Sequence, residues 1–205
     1  MHIFSQKNIL GQINIDKHIK SKYLCLFVIV LWSLLSLIAC QNSLQGEEKI
    51  LHDFESDSEL DSFFWRCHAL FSLSDDHVTH GEKSLRLELY PSGVTGLAPM
   101  IENQDWRHFD HLRFDVFNTT RKTFLLSIWI NDHIEYTGRQ DLYSKNVDIK
   151  PGLNRVSIPL ENLVTQGTKR KINLEIISNL FIFVPNLDHT VVFHIDYLRL
   201  DHHAN

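Results

Sequence analysis

The chain is poor in the residues that bend or cross-link a backbone. Its 205 residues include three cysteines, five prolines and eight glycines. That excludes a disulfide-stapled scaffold, a collagen-like helix and a Pro/Gly-rich disordered chain. No self-similarity recurs at the periods of solenoids or propellers. No run of like charge occurs, so there is neither an acidic tail nor a basic nucleic-acid arm. The G-x-S-x-G, P-loop, H-E-x-x-H and Rossmann signatures of common catalytic and nucleotide sites are also missing. What remains is an ordinary globular composition, 43% hydrophobic and 22% charged. The length suffices for one domain with a full core.

The longest apolar run, "YLCLFVIVLWSLLSLIA" at 23–39, carries no charge. Lys7, Lys17, Lys20 and Lys22 precede it, against a single acid, Asp16. Basic flank, apolar run and small terminal residue are the parts of a secretory signal. The run is also at the short limit for a membrane helix. Its end, "LIAC" at 37–40, resembles the lipobox of bacterial lipoprotein signal peptides. The resemblance implies that Cys40 is lipidated and becomes the first residue after cleavage. The other reading is an uncleaved anchor with an incidental cysteine. Gln41 after the cysteine resembles the sorting pattern for the outer membrane of two-membrane bacteria. The expected division is a signal peptide over 1–39, a lipidated tether over 40–49, a β-sandwich domain over 50–201 and a frayed end over 202–205.

Residues 1–40 hold four of the 20 basic and one of the 25 acidic residues, which leaves 16 against 24, a net charge of −8. A polyanion such as nucleic acid is therefore excluded as an expected partner, because binding it needs a positive surface. Beyond Cys40 the only thiol is Cys67. It is expected as a small buried apolar residue.

From Ile50 onward the pattern is strand after strand. "LRLEL" alternates Leu85, Leu87 and Leu89 with Arg86 and Glu88. "HLRFDVFN" alternates Leu112, Phe114 and Val116 with Arg113, Asp115 and Phe117. "TFLLSIWIND" sets Phe124, Leu126, Ile128 and Ile130 against Leu125, Ser127, Trp129 and Asn131. Period two with one apolar face marks half-buried strands. "NRVSIPL", "LFIFV" and "VVFHIDYLRL" continue the series. Turn signals separate them at "PSG", "NTTRK", "KPGLN" and "VPNLD", and only "PLENLV" reads as a short helical turn. Many short strands with little helix predict an all-β, antiparallel β-sandwich of the jelly-roll type. A closed barrel is the runner-up. A transmembrane barrel lacks its lipid-facing girdle here. In the last strand Phe193 and Ile195 share one parity, Leu198 and Leu200 the other. A β-bulge around Asp196 and Tyr197 would keep all four in the core and re-aim Asp196.

Three kinds of chemistry are open. His77, His80 and Glu82 in "DHVTHGEKSLRLEL" invite a zinc reading, but Gly81 interrupts and a strand begins two residues later, so a solvated turn is the better expectation. A glycosidase needs two facing carboxylates. Asp110, Asp115, Asp132, Glu135 and Asp141 are candidates with no visible pairing, so no enzymatic activity is expected. Sugar binding needs an aromatic face and neighbouring polar groups. Trp129, on a polar strand face, is either such a platform or is covered by a loop. Asp132, His133, Tyr136, Arg139 and Tyr143 follow it. They form either a ligand cluster or a buried brace, which Arg113 and Asp115 would join from an adjacent strand. Trp65 and Trp106, beside turns, read as core plugs.

The landmarks "HDFES" at 52, Trp65, "THGEKSLRLEL" at 79, "DWRHFDHLRFDVFN" at 105, "NDHIEYTGRQ" at 131, "KPGLNRVSIPLENL" at 150 and "FHIDYLRLD" at 193 stand in an order that is familiar. Together they resemble the galactose-binding-like jelly-roll domains found as non-catalytic carbohydrate-binding modules. The resemblance implies glycan binding, with Trp129, Tyr136 and Tyr143 stacking and Arg113, Asp132 and Arg139 orienting hydroxyls or a sugar acid. It also implies one structural calcium, held by Asp53 or Glu55, by carbonyls around His80 to Lys83 and by Asp196; the other reading is that Glu55 and Asp196 cap edges or accept turn hydrogen bonds. The rival expectation is an envelope scaffold that docks a partner protein through a sandwich face.

Overall fold

The computed structural model describes residues 48–102, 104–133 and 139–202, the side chains of Arg66 and Arg139 excepted. The chain forms β1 (Glu48–His52), β2 (Phe63–Cys67), β3 (Ala69–Ser74), β4 (Ser84–Leu89), β5 (Ser92–Pro99), β6 (His111–Asn118), β7 (Phe124–Asn131), β8 (Tyr143–Ile149), β9 (Gly152–Pro159), β10 (Asn179–Leu187) and β11 (Val191–Asp201). One sheet runs β3-β4-β11-β6-β9, with β1 also on β11, and the other runs β2-β5-β10-β7-β8. The pairings are antiparallel. This is the expected β-sandwich. β2 and β3 belong to different sheets, and the chain passes between them at His68, whose φ of 48° makes the corner.

The alternating residues explain the packing. Leu85, Leu87, Leu89, Leu112, Phe114, Val116, Leu126, Ile128 and Ile130 all turn inward and are fully buried. Each such side chain contributes about 1.5–3 kcal/mol relative to exposure. Trp106 joins this core as expected. Trp65 does not. Its cross-strand partner is Ala98, and it lies half-buried on the outside of the second sheet. Cys67 is half-buried too. "PLENLV" is the end of β9 and a turn, not a helix.

The irregularity in β11 is a bulge. Three steps from Asp196 to Arg199 face two steps from Asp115 to Arg113 on β6. Tyr197 takes the extra place at φ 53°. Phe193, Ile195, Leu198 and Leu200 consequently all reach the core. On its other edge β11 pairs first with β4, through Ile195, and then with β1, from Leu198. Asp196 sits in the gap between those two neighbours.

Candidate functional site

The outer face of the second sheet carries a groove of about 410 Å³ over β5, β7, β8 and β10. Its walls are apolar or uncharged: Val94, Leu125, Ser127, Trp129, Ser144, Asn146, Phe183, Pro185 and Asn186, with Gly93 at one end. Strand alternation puts Ser127 and Trp129 here, because Ile128 and Ile130 take the core. Trp129 faces Ser144 across β7 and β8, and its Nε1–H donates to Ser144 Oγ at 3.0 Å. Its ring meets Phe183 edge to face, with centroids 4.7 Å apart. Phe183 in turn lies over Gly96 of β5, its cross-strand partner. Any Cβ on Gly96 would sit 2.3 Å from the Ile182 carbonyl oxygen. Ser127 Oγ–H donates to Asn146 Oδ1 at 2.7 Å, which leaves the Asn146 amide hydrogens for other acceptors. Trp129 is half-buried, neither sealed under a loop nor fully free. The site is thus an aromatic wall beside a rail of neutral donors.

The other expected contacts fall elsewhere. Asp132 is 2% exposed. Both its oxygens accept from the Arg170 guanidinium at 2.7 Å, and one also takes the Asn173 amide at 2.7 Å. Arg170 also reaches Asp141 at 2.7 Å and His133 at 2.8 Å. Burial alone would raise the Asp132 carboxyl, but Arg170 and the Asn173 amide overcome it and hold it below the usual range. Asp132 is therefore the brace of its two readings, with Arg170 as partner, and Arg170 was not singled out from the sequence. Tyr143 faces Ile130 and packs half-buried against the core, where burial raises its phenol. Arg139 heads a short 3-10 turn, Arg139–Asp141. Its side chain, Tyr136 and Cys40 lie outside the described parts. Arg113 is on β6, in the first sheet, beside Asp201 at 3.2 Å. It projects from the opposite outer face to Trp129, so the adjacency expected of their strands does not hold. The reason is topological: β6 and β7 follow each other in sequence but cross between sheets.

The three acids expected at a metal converge on one turn. Asp196, 1% exposed, accepts from the Thr79 and His80 amides at 2.6 and 3.0 Å and from the Tyr197 amide at 2.7 Å. Glu55 accepts from the Glu82 and Lys83 amides, each at 2.9 Å. Asp53 Oδ1 lies 2.6 Å from His80 Nδ1. Gly81 has φ 68°, and a Cβ there would lie 2.2 Å from a Glu55 oxygen. Calcium asks for converging carboxylate and carbonyl oxygens. The turn instead aims N–H groups at Asp196 and Glu55, so the donor set as arranged does not fit the cation. The acids act as anionic hands that grip the turn. His77 stacks on Phe117 at 3.6 Å and His80 on Tyr197 at 4.1 Å. The two rings pack on different partners, as a turn and not a zinc site would have them.

No protein-family profile matches the chain, and no curated protein matches it. Solved structures define the class: a jelly-roll β-sandwich of the kind seen in carbohydrate-binding modules. A family 11 carbohydrate-binding module from Clostridium thermocellum, solved with a β-1,3-1,4-mixed-linked tetrasaccharide, superposes with a TM-score of 0.60 at 13% identity, over 77% of this chain and 96% of that one. An exo-β-agarase superposes with a TM-score of 0.62 at 19% identity, over 75% of this chain but only 25% of the agarase. An arabinose-bound α-L-arabinofuranosidase gives 0.53 at 10% identity, over 77% of this chain and 26% of that one. At these identities the likeness establishes the fold, and function has to be argued from the site.

Proposed function

We propose that this protein is a non-catalytic envelope lipoprotein whose jelly roll binds neutral carbohydrate in the groove beside Trp129. The observation that carries the proposal is the composition of that groove. A half-exposed indole and a phenylalanine stand beside Ser144, Asn146 and Ser127, with no charged residue among the described residues of the lining. Aromatic faces suit the apolar faces of pyranose rings, and neutral donors suit their hydroxyls. A sugar acid finds no cation among these described lining residues. The fold similarity to modules that hold oligosaccharides supports the same reading. Attachment would be through lipid on Cys40. Incorporation of a fatty-acid probe, lost in Cys40→Ser, tests that part.

Titration calorimetry with mixed-linked β-glucan and agarose oligosaccharides, on the purified protein and on Trp129→Ala, tests the binding. The expected outcome is measurable affinity for at least one neutral oligosaccharide, weakened tenfold or more by Trp129→Ala. A second reading is favoured by Phe64 and Leu125, which are 47% and 37% exposed. Exposed apolar side chains on a sheet face suit docking of a partner protein. Absence of binding to every glycan, with capture of an envelope protein that Leu125→Asp abolishes, would favour it.

A further inference from the structure

We propose that the glycan face holds a second aromatic platform, formed by Phe64, Trp65 and Phe181, and that the ligand is a linear, uncharged oligosaccharide laid across the strands. This rests on the carbohydrate reading above and extends it from a groove to a strip. The platform owes its existence to a bulge. Phe63 pairs with Pro99 and Trp65 with Ala98, so β2 has one more residue than β5 between these points. Regular alternation would send Phe64 and Trp65 to opposite faces. The inserted residue instead lets both rings meet the same partner on the outside. Phe181 receives them edge to face, with centroids 5.7 Å from Phe64 and 5.8 Å from Trp65. Trp65 reaches Phe181 across the intervening β5 because β5 offers only Ala98 there.

Register then joins the platform to the groove. Phe181 is the cross-strand partner of Trp129, and Trp129 of Ser144. Trp65, Phe181, Trp129 and Ser144 therefore stand in one row at right angles to the strands. At about 4.8 Å per strand, Trp65 and Trp129 are roughly 14 Å apart. That is more than two linked sugar rings span. A single sugar would use one platform, and only a longer chain would touch both. The aromatic end is open, since Phe64 is 47% exposed. The far end closes on hydroxyl and amide groups of β8.

The test compares a disaccharide and a hexasaccharide of whichever neutral glycan binds the wild-type protein, by titration calorimetry on the full protein. Trp65→Ala and Phe64→Ser are each expected to weaken the hexasaccharide about tenfold, as loss of an aromatic contact does, and to leave the disaccharide within twofold. Trp129→Ala is expected to weaken both. Phe64→Ser alters an exposed ring, so it reports on the platform even where Trp65→Ala disturbs folding. Equal weakening of both lengths, or no effect of either platform variant while Trp129→Ala abolishes binding, overturns the second platform alone. Failure of the wild-type protein to bind any neutral glycan overturns the carbohydrate reading, and the platform falls with it.

Discussion

Glu59 gathers three backbone donors onto one carboxylate. It accepts from the Asp53, Phe54 and Glu55 amides at 3.0, 2.9 and 3.0 Å. This grip fixes Phe54 at φ 60°, an unfavourable conformation for a bulky residue, with its ring in the core. Burial would raise the Glu59 carboxyl, but His52 and the three amides overcome it and hold it at about 2. The folded value lies below the unfolded one, so the stabilisation is complete above the unfolded pKa and is lost as pH falls through the folded one. Glu59→Gln is expected to cost about 2 kcal/mol in urea unfolding at pH 7, with the gap from wild type closing towards pH 2. His194 has the opposite chemistry and the same slope. Burial, helped by His77 and Arg86, pushes it down to about 4. The unfolded chain therefore binds more protons between that value and about 6.5, and stability should fall through that window on acidification. His194→Gln should flatten the fall, read as urea midpoints at pH 7 and pH 4.5. Gly96 is a third single-residue constraint. Its absent Cβ would meet backbone, the Ile182 oxygen and Phe183 Cα at 2.3 and 2.5 Å. Gly96→Ala is expected to cost about 3 kcal/mol in the same assay.

At the scale of the element, legibility depended on alternation. β4, β6, β7, β9, β10 and β11 all stand where apolar periodicity marked them. The bulge in β11 was readable because four core residues with a parity change leave no other arrangement. β5 was not readable, since "SGVTGLAP" combines two glycines with a proline. β2 hid for a different reason: its bulge sets Phe63, Phe64 and Trp65 out of period, so Trp65 looked like a core plug. β8, an edge strand of sequence "YSKNVDI", has too few apolar residues to declare itself. The turn at 76–83 showed its glycine and its strand start, and left Glu55 and Asp196 open between a cation and turn hydrogen bonds. Nothing in a sequence shows that amides rather than carbonyls will face Asp196. That orientation predicts a clasp independent of metal. Asp196→Ala should cost about 3 kcal/mol and raise amide exchange at Thr79 and His80 above that of the strands. EGTA should leave the melting temperature of the wild-type protein unchanged. A fall on chelation would show that a cation holds the turn.

A sandwich has two outer faces, and residue parity says only that a side chain points outward. It does not say to which face. Trp129 and Arg113 have the same outward parity in successive strands, yet one lies in the β2-β5-β10-β7-β8 sheet and the other in the β3-β4-β11-β6-β9 sheet. The two sheets pack about 10 Å apart, and the core lies between the two side chains. On the groove side of the molecule the described lining is aromatic and uncharged, with Asp148 of β8 exposed beside it opposite Leu125. The other side carries Arg86, Glu88, Arg113, Arg199 and Asp201, three of which are tied by ion pairs to acids of their own sheet. Only long-range pairing separates these faces, and pairing partners are what one sequence does not reveal. The division gives a test of the whole architecture. Arg113→Ala, which removes a charge expected from the sequence to touch the sugar, should leave glycan affinity within twofold of wild type. Its cost should appear instead as a loss of stability of about 1 kcal/mol from the Asp201 pair. Trp129→Ala should do the reverse and weaken the ligand more than the fold. Calorimetric titration and urea unfolding on the same two variants measure both. Equal loss of affinity in the two would place the ligand on the charged face and overturn the site.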